Sequence, residues 1–103
     1  MKKIRIGQKE IIHFIGIGGI GMSGLAQVMK TMDFTIQGSD QNKNKSTSNC
    51  SKAGIKVFIG HTKKNINNAT ILVKSSAIKN NNIEIQQAKK KKNSNLFKSW
   101  SFS

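Results

Sequence analysis

Three glycines, Gly16, Gly18 and Gly21, stand at the spacing G-x-G-x-x-G where the apolar run Ile11 to Ile17 ends. A strand that ends in such a turn and passes into a helix is suited to holding a phosphate. The first glycine permits the tight turn, the second lets the main chain approach an anion with no β-carbon in the way, and the third allows close helix–strand contact. The N–H groups that open the helix have no partner inside it and face the anion. Asp40, 19 residues beyond Gly21, is the acidic residue expected at the end of the second strand, where a carboxylate reaches the ribose hydroxyls of a bound nucleotide. On spacing alone the ligand is as well a dinucleotide such as NAD(P) as any other nucleoside diphosphate.

The remaining reactive side chains carry less. His13 lies inside the first apolar run and reads as a satisfied buried histidine; His61 lies in a loop. Cys50 has no neighbouring histidine or basic run to lower its pKa, and reads as a plain thiol. No Cys/His cluster has the spacing of zinc ligands, so no metal site is expected, and a lone cysteine fits a reducing cytoplasm.

The elements that must position these residues follow from hydrophobic period. Ile11 to Ile17 is continuous enough to be a strand buried on both faces of a parallel sheet. Met22, Leu25, Ala26, Met29 and Met32 then form one face of a helix. Phe34 to Gly38 reads as a second strand and the stretch behind Gln41 to Ser48 as a helix ending near Ala53, with Gly54 as its stop. Ile55 to Ile59 and Ala69 to Lys74 are the third and fourth strands, joined by the loop Gly60 to Asn68; Asn82 would cap a last helix, Ile83 to Lys92. This alternation predicts an α/β fold: a Rossmann-like parallel sheet of about four strands with flanking helices.

The net charge of +14 is carried almost wholly by scattered lysine, with a single arginine, Arg5, and few aromatic residues to interleave. That is a poor match to a nucleic-acid surface, and the run Lys89 to Lys92 suits a helix end favoured by the dipole. No apolar run approaches the roughly 18 residues of a membrane span, and the basic N-terminus has no leader pattern behind it.

The string from His13 to Ala26, followed by Gly38-Ser39-Asp40 and by Ser75-Ser76-Ala77-Ile78, resembles the N-terminal domain of Mur ligases over Lys3 to Lys92. The nearest likeness is to the members that join L-alanine to UDP-N-acetylmuramate in peptidoglycan precursor synthesis. The resemblance implies a domain, residues 1–92, that holds the UDP part of this substrate. Main-chain N–H groups of Gly18, Gly19, Ile20, Gly21 and Met22 would bind the diphosphate. Asp40, with Ser39 beside it, and His61 would lie near the uridine, and Ser75, Ser76 and Ala77 would line the same cleft.

The family also uses ATP and magnesium on a central domain with a glycine-Lys-Thr loop. G-x-x-x-x-G-K-[ST] occurs nowhere here, so no cofactor and no catalytic residue is expected in this chain. After Lys92 the family would enter a fifth strand beginning isoleucine-proline, whereas this chain reads Asn93-Ser94-Asn95 and ends at Ser103. A frameshift at the adenine run implied by Lys89 to Lys92 would account for the change: codons such as AAT-TCC-AAT, read one nucleotide later, begin with isoleucine and proline. On this reading residues 93–103 are an out-of-frame tail, the sheet is incomplete on its C-terminal side, and a neighbouring reading frame supplies the missing ligase domains. Resequencing the locus tests it.

Overall fold

Ile11–Ile15 forms β1, the central strand of a five-stranded, wholly parallel sheet of order β3-β2-β1-β4-β5. The computed structural model describes residues 10–92 and 98–102. Because β1 has a strand on each side, both faces of the pleat must be covered, and the alternation of its side chains sorts them into two layers. Ile12 and Phe14 point into one core with Ile36, Ile71 and Val73; Ile15 points into the other with Leu72.

The first layer is closed by two helices. Helix α1, Met22–Thr31, contributes Met22 and Ala26, and α2, Lys45–Lys52, contributes Cys50. Met32, assigned to the buried face by period, is instead the C-cap and 60% exposed, because the helix ends at Thr31, one residue short of it. No glycine marks that end. Asp33 takes the left-handed conformation (φ 67°), its N–H donating to the Lys30 carbonyl and that of Phe34 to the Met29 carbonyl, which satisfies the last carbonyls of the helix. Helix α2 opens on a capping box: the Asn44 side chain accepts from the Thr47 N–H, and the Thr47 hydroxyl oxygen accepts from the Asn44 N–H, each at 2.8 Å.

The second layer is formed by a short 3-10 helix, Lys63–Ile66, within the stretch read from sequence as plain loop, and by α3, Ile83–Lys92, which buries Ile85 and Ala88. Asn82 caps α3 as expected, its Oδ1 accepting from the Glu84 N–H at 2.9 Å. Strands β2, β3 and β4 span Thr35–Asp40, Lys56–Ile59 and Ile71–Ser75, so β2 carries Ser39 and Asp40 within the strand rather than just past it.

The chain runs from β1 outward through β2 and β3, then returns to the other side of β1 as β4. The sheet therefore has a switch point between β1 and β4, and the loops that leave their carboxyl ends diverge into a crevice there. Beyond β4 the expectation of an incomplete sheet is not met: Lys98–Phe102 forms β5 and pairs in parallel along β4 from Ile71 to Ser75. A parallel β4 backbone leaves open N–H and C=O groups that any extended segment of sufficient length can take, whatever its side chains. Of the stretch read as an out-of-frame tail, residues 93–97 and 103 lie outside the described residues, as does the basic N-terminus through residue 9. Among the described residues no helix is long and apolar enough to cross a membrane.

Candidate functional site

The turn that follows β1 is held from two sides. The Gly16 and Ile17 N–H groups donate to the Ser39 carbonyl at 2.8 and 3.0 Å, and the Gly19 N–H donates to the Gly16 carbonyl at 2.9 Å. Gly16 and Gly21 have φ near +80°, and Gly21 is the N-cap of α1 with no side-chain cap. Only glycine takes up this conformation without strain. The third glycine is thus needed for the backbone conformation that launches the helix, a reason that spacing does not reveal.

Gly18 also has an unforeseen role. A β-carbon there would lie 2.8 Å from Thr47 Cγ2 and 2.9 Å from Asp40 Oδ2, so its smallness lets the turn nest against α2 and the end of β2. Its N–H donates to Asp40 Oδ2 at 2.8 Å and is already engaged. The Met22 N–H donates to the Gly19 carbonyl at 3.1 Å, and the Met22 side chain is fully buried. Of the five N–H groups expected to face a diphosphate, those of Ile20 and Gly21 make no hydrogen bond within the described residues. The Ile20 side chain is fully exposed at the tip.

The crevice between this turn and the loop after β4 has a volume of about 520 Å³, within the usual range for small-molecule sites. Gly19, Asp40, His61, Ser75 and Ala77, all expected from sequence, line it, and so do Ile78, Lys79, Asn81 and Asn82, which were not. Ser76 is exposed and outside the lining. Ser39 lies beneath the floor, with no exposure of its own.

What Ser39 touches is the feature that sequence reasoning missed. Glu84, fully buried in the first turn of α3, receives five hydrogen bonds on one carboxylate. Oε1 accepts from the Ser39 hydroxyl at 2.6 Å and from His13 Nε2 at 2.7 Å; Oε2 accepts from Asn65 Nδ2 at 2.8 Å and from His61 Nδ1 and the Thr62 N–H at 3.2 Å. Burial opposes ionisation of this carboxyl, but the hydrogen bonds from His13, Ser39 and Asn65 outweigh it and bring its pKa down to about 2. Glu84 is one of only four acidic residues in the chain, which was the available signal.

The network fixes protons. Gln37 Nε2 donates to the Asn65 carbonyl at 2.7 Å, which orients its amide, and to His13 Nδ1 at 2.8 Å. His13 therefore carries its hydrogen on Nε2 and uses both ring nitrogens internally, the satisfied buried histidine that its place in β1 suggested. Cys50 is equally inert: it is buried, burial pushes its thiol pKa up, and its sulfur lies 3.9 Å from the Ser23 carbonyl. Among the described residues no group of three or more His, Cys, Asp or Glu side chains is arranged to hold a metal ion.

A glycine turn at a switch point is shared by many nucleotide-binding folds, and the comparison with known families separates them. The profile of the Mur ligase family, catalytic domain, matches residues 11–96. The chain belongs to the Mur ligase family. It is 61% identical over 89 residues to the UDP-N-acetylmuramate--L-alanine ligase of Pelagibacter ubique, covering 86% of this chain and 19% of that protein. To the enzyme of the same name from Rickettsia bellii it is 48% identical over 83 residues, covering 81% and 17%. Among solved structures it is similar to the UDP-N-acetylmuramate-alanine ligase of Thermotoga maritima, with a TM-score of 0.80 and 30% identity over 87% of this chain and 20% of that one. The chain thus spans about a fifth of the length of the Mur ligases it matches.

Proposed function

We propose that this chain forms the part of an ATP-dependent ligase, one that joins L-alanine to UDP-N-acetylmuramate, which holds the UDP moiety of the sugar nucleotide. The observation that carries this reading is the pair of unengaged N–H groups, Ile20 and Gly21, at the positive end of α1 and directly after Gly19, which lines a crevice on the switch point of the sheet. The diphosphate rests there, against Gly19. Asp40 at the end of β2 and His61 in the loop after β3 face the nucleoside; Ser75 and Ala77 bound the opposite wall.

Asp40 has two tasks in this arrangement. Its carboxylate accepts from the Gly18 N–H, so that this N–H does not serve the phosphate. With ligand present it accepts a ribose hydroxyl through its remaining lone pairs. The ATP and magnesium that such a ligase uses find no phosphate loop in this sequence, and no step of the ligation is assigned to the residues described. The setting is cytoplasmic, in keeping with a single buried thiol and a soluble sugar-nucleotide substrate.

Calorimetric titration of the chain with UDP-N-acetylmuramate, UDP and NADH tests the proposal. Binding of the first two and not of NADH is expected. Binding of NADH alone would make this a dinucleotide module and overturn the reading.

A further inference from the structure

His61 meets the Glu84 network with one ring nitrogen and the crevice with the other. Its Nδ1 lies 2.9 Å from Ser39 Oγ and 3.2 Å from Glu84 Oε2. The Ser39 hydroxyl has one hydrogen, and that hydrogen is given to Glu84 Oε1 at 2.6 Å. Ser39 Oγ can then only accept from His61, and a carboxylate oxygen can only accept as well. Both partners of Nδ1 are acceptors, so Nδ1 carries the hydrogen. In the neutral ring Nε2 is left with a lone pair. It makes no hydrogen bond within the described residues, yet no buried side-chain nitrogen or oxygen there lacks a partner, so Nε2 is open to the crevice that His61 lines.

We infer that Glu84 is a positioning residue: it fixes His61 as the Nδ1–H tautomer, directly and through Ser39, so that Nε2 offers a hydrogen-bond acceptor to the crevice. The consequence is a preference of ligand chemistry. The glycine turn offers N–H donors and suits an anion; the far end, two strand positions from β1, offers an acceptor and suits a neutral group with a hydrogen to give, such as the imide N–H or a ribose hydroxyl of a nucleoside. A crevice with donors at one end and an acceptor at the other reads the polarity of a nucleoside diphosphate and fixes which way round it lies. This deepens the reading of the crevice as a UDP site and rests on it for the ligand, though the tautomer does not depend on it.

The assignment of Glu84 rests on one carboxylate of α3 that gathers groups from β1, β2, the loop after β3 and the 3-10 segment. His13, on the same carboxylate, cannot substitute for His61 because both its nitrogens are engaged. Asp40 and Lys79 are the other charged groups lining the crevice, and neither makes a hydrogen bond to His61.

Long-range proton–nitrogen correlation spectra of nitrogen-15-labelled chain at neutral pH read the tautomer directly. The wild type is expected to show His61 as Nδ1–H. In Glu84→Gln one of the two accepting oxygens becomes an N–H donor and the carboxylate charge is lost, so the preference for Nδ1–H is expected to weaken and Nε2–H to become populated, with UDP affinity reduced about tenfold, the scale of one lost hydrogen bond. In Ser39→Ala, which keeps Glu84, the Nδ1–H form is expected to persist, and this variant decides the matter if Glu84→Gln does not fold. A wild-type Nε2–H tautomer, or loss of Nδ1–H in Ser39→Ala, would overturn the role of Glu84. Titration with uridine and with inorganic pyrophosphate then tests the polarity: the Nε2 resonance should move with uridine and not with pyrophosphate, and the reverse would overturn it. Failure of UDP and uridine to bind at all, with the tautomer as described, would instead overturn the UDP reading and leave the assignment of Glu84 standing.

Discussion

The two layers that cover the sheet are built on different principles. Between the sheet and α1 and α2 the core is apolar: Ile12, Phe14, Ile17, Met22, Ala26 and Ile36 pack together, and the one buried polar side chain of the two helices, Thr47, serves the α2 cap. Between the sheet and α3 a smaller apolar cluster shares its space with Glu84, His13, Ser39 and Asn65, all buried. The first layer is held by area removed from water, and none of its buried core side chains lines the crevice. The second is held in part by hydrogen bonds to one carboxylate, and that carboxylate also touches the crevice through His61. The difference teaches where stability and binding are coupled: substitutions in the first layer should move one without the other, and those in the second should move both.

The largest effect is expected from Phe14→Ala, which removes a fully buried ring from the apolar layer and should cost about 3–5 kcal/mol in urea denaturation. The ligand affinity of whatever fraction remains folded should be unchanged. Glu84→Ala should cost about 3 kcal/mol by leaving buried donors on His13, Ser39 and Asn65 without an acceptor, and should in addition weaken UDP binding. Equal losses of affinity in the two variants would erase the distinction between the layers.

The same contrast can be drawn with acid. The folded-state pKa of Glu84, about 2, lies below the ordinary value of 4.5, so its contribution to stability is fully present above about pH 4.5. It is lost as pH falls toward 2, by about 3 kcal/mol in all. Urea midpoints measured from pH 6 to pH 3 should fall more steeply in the wild type than in Glu84→Gln. Parallel curves would show that the buried carboxylate is not what acid removes.

Smaller effects belong to the rim and the helix ends. Asp40→Asn keeps an acceptor for the Gly18 N–H and should change stability by less than about 1 kcal/mol, while lowering UDP affinity about tenfold through the weaker bond to a ribose hydroxyl. A large loss of stability with binding intact would place Asp40 among the structural groups. Asp33→Gly should raise stability by about 0.5–1 kcal/mol, since glycine meets no steric penalty at the left-handed residue that ends α1. A small rise in melting temperature checks it.

Much of this molecule was written locally. The period of Met22, Leu25, Ala26 and Met29 announces α1 because a helix brings every third and fourth residue to one face. Asn82 announces α3 because a cap is a contact across two residues. The glycine turn, Asp40 and Ser75 with Ala77 announce the crevice because a parallel sheet brings every strand's carboxyl end to one edge. Tertiary structure decided which of the turn's N–H groups are unengaged, that the β4 edge is occupied by Lys98–Phe102, and that His13 and Glu84, 71 residues apart, share a proton. The reason is that burying a carboxylate is favourable only where several donors converge on it, and those donors come from two strands, a 3-10 helix and a loop. No local pattern around Glu84 could have named them. The sequence by itself determined where the crevice lies, and only the fold decided which groups meet His61 Nδ1 beneath it.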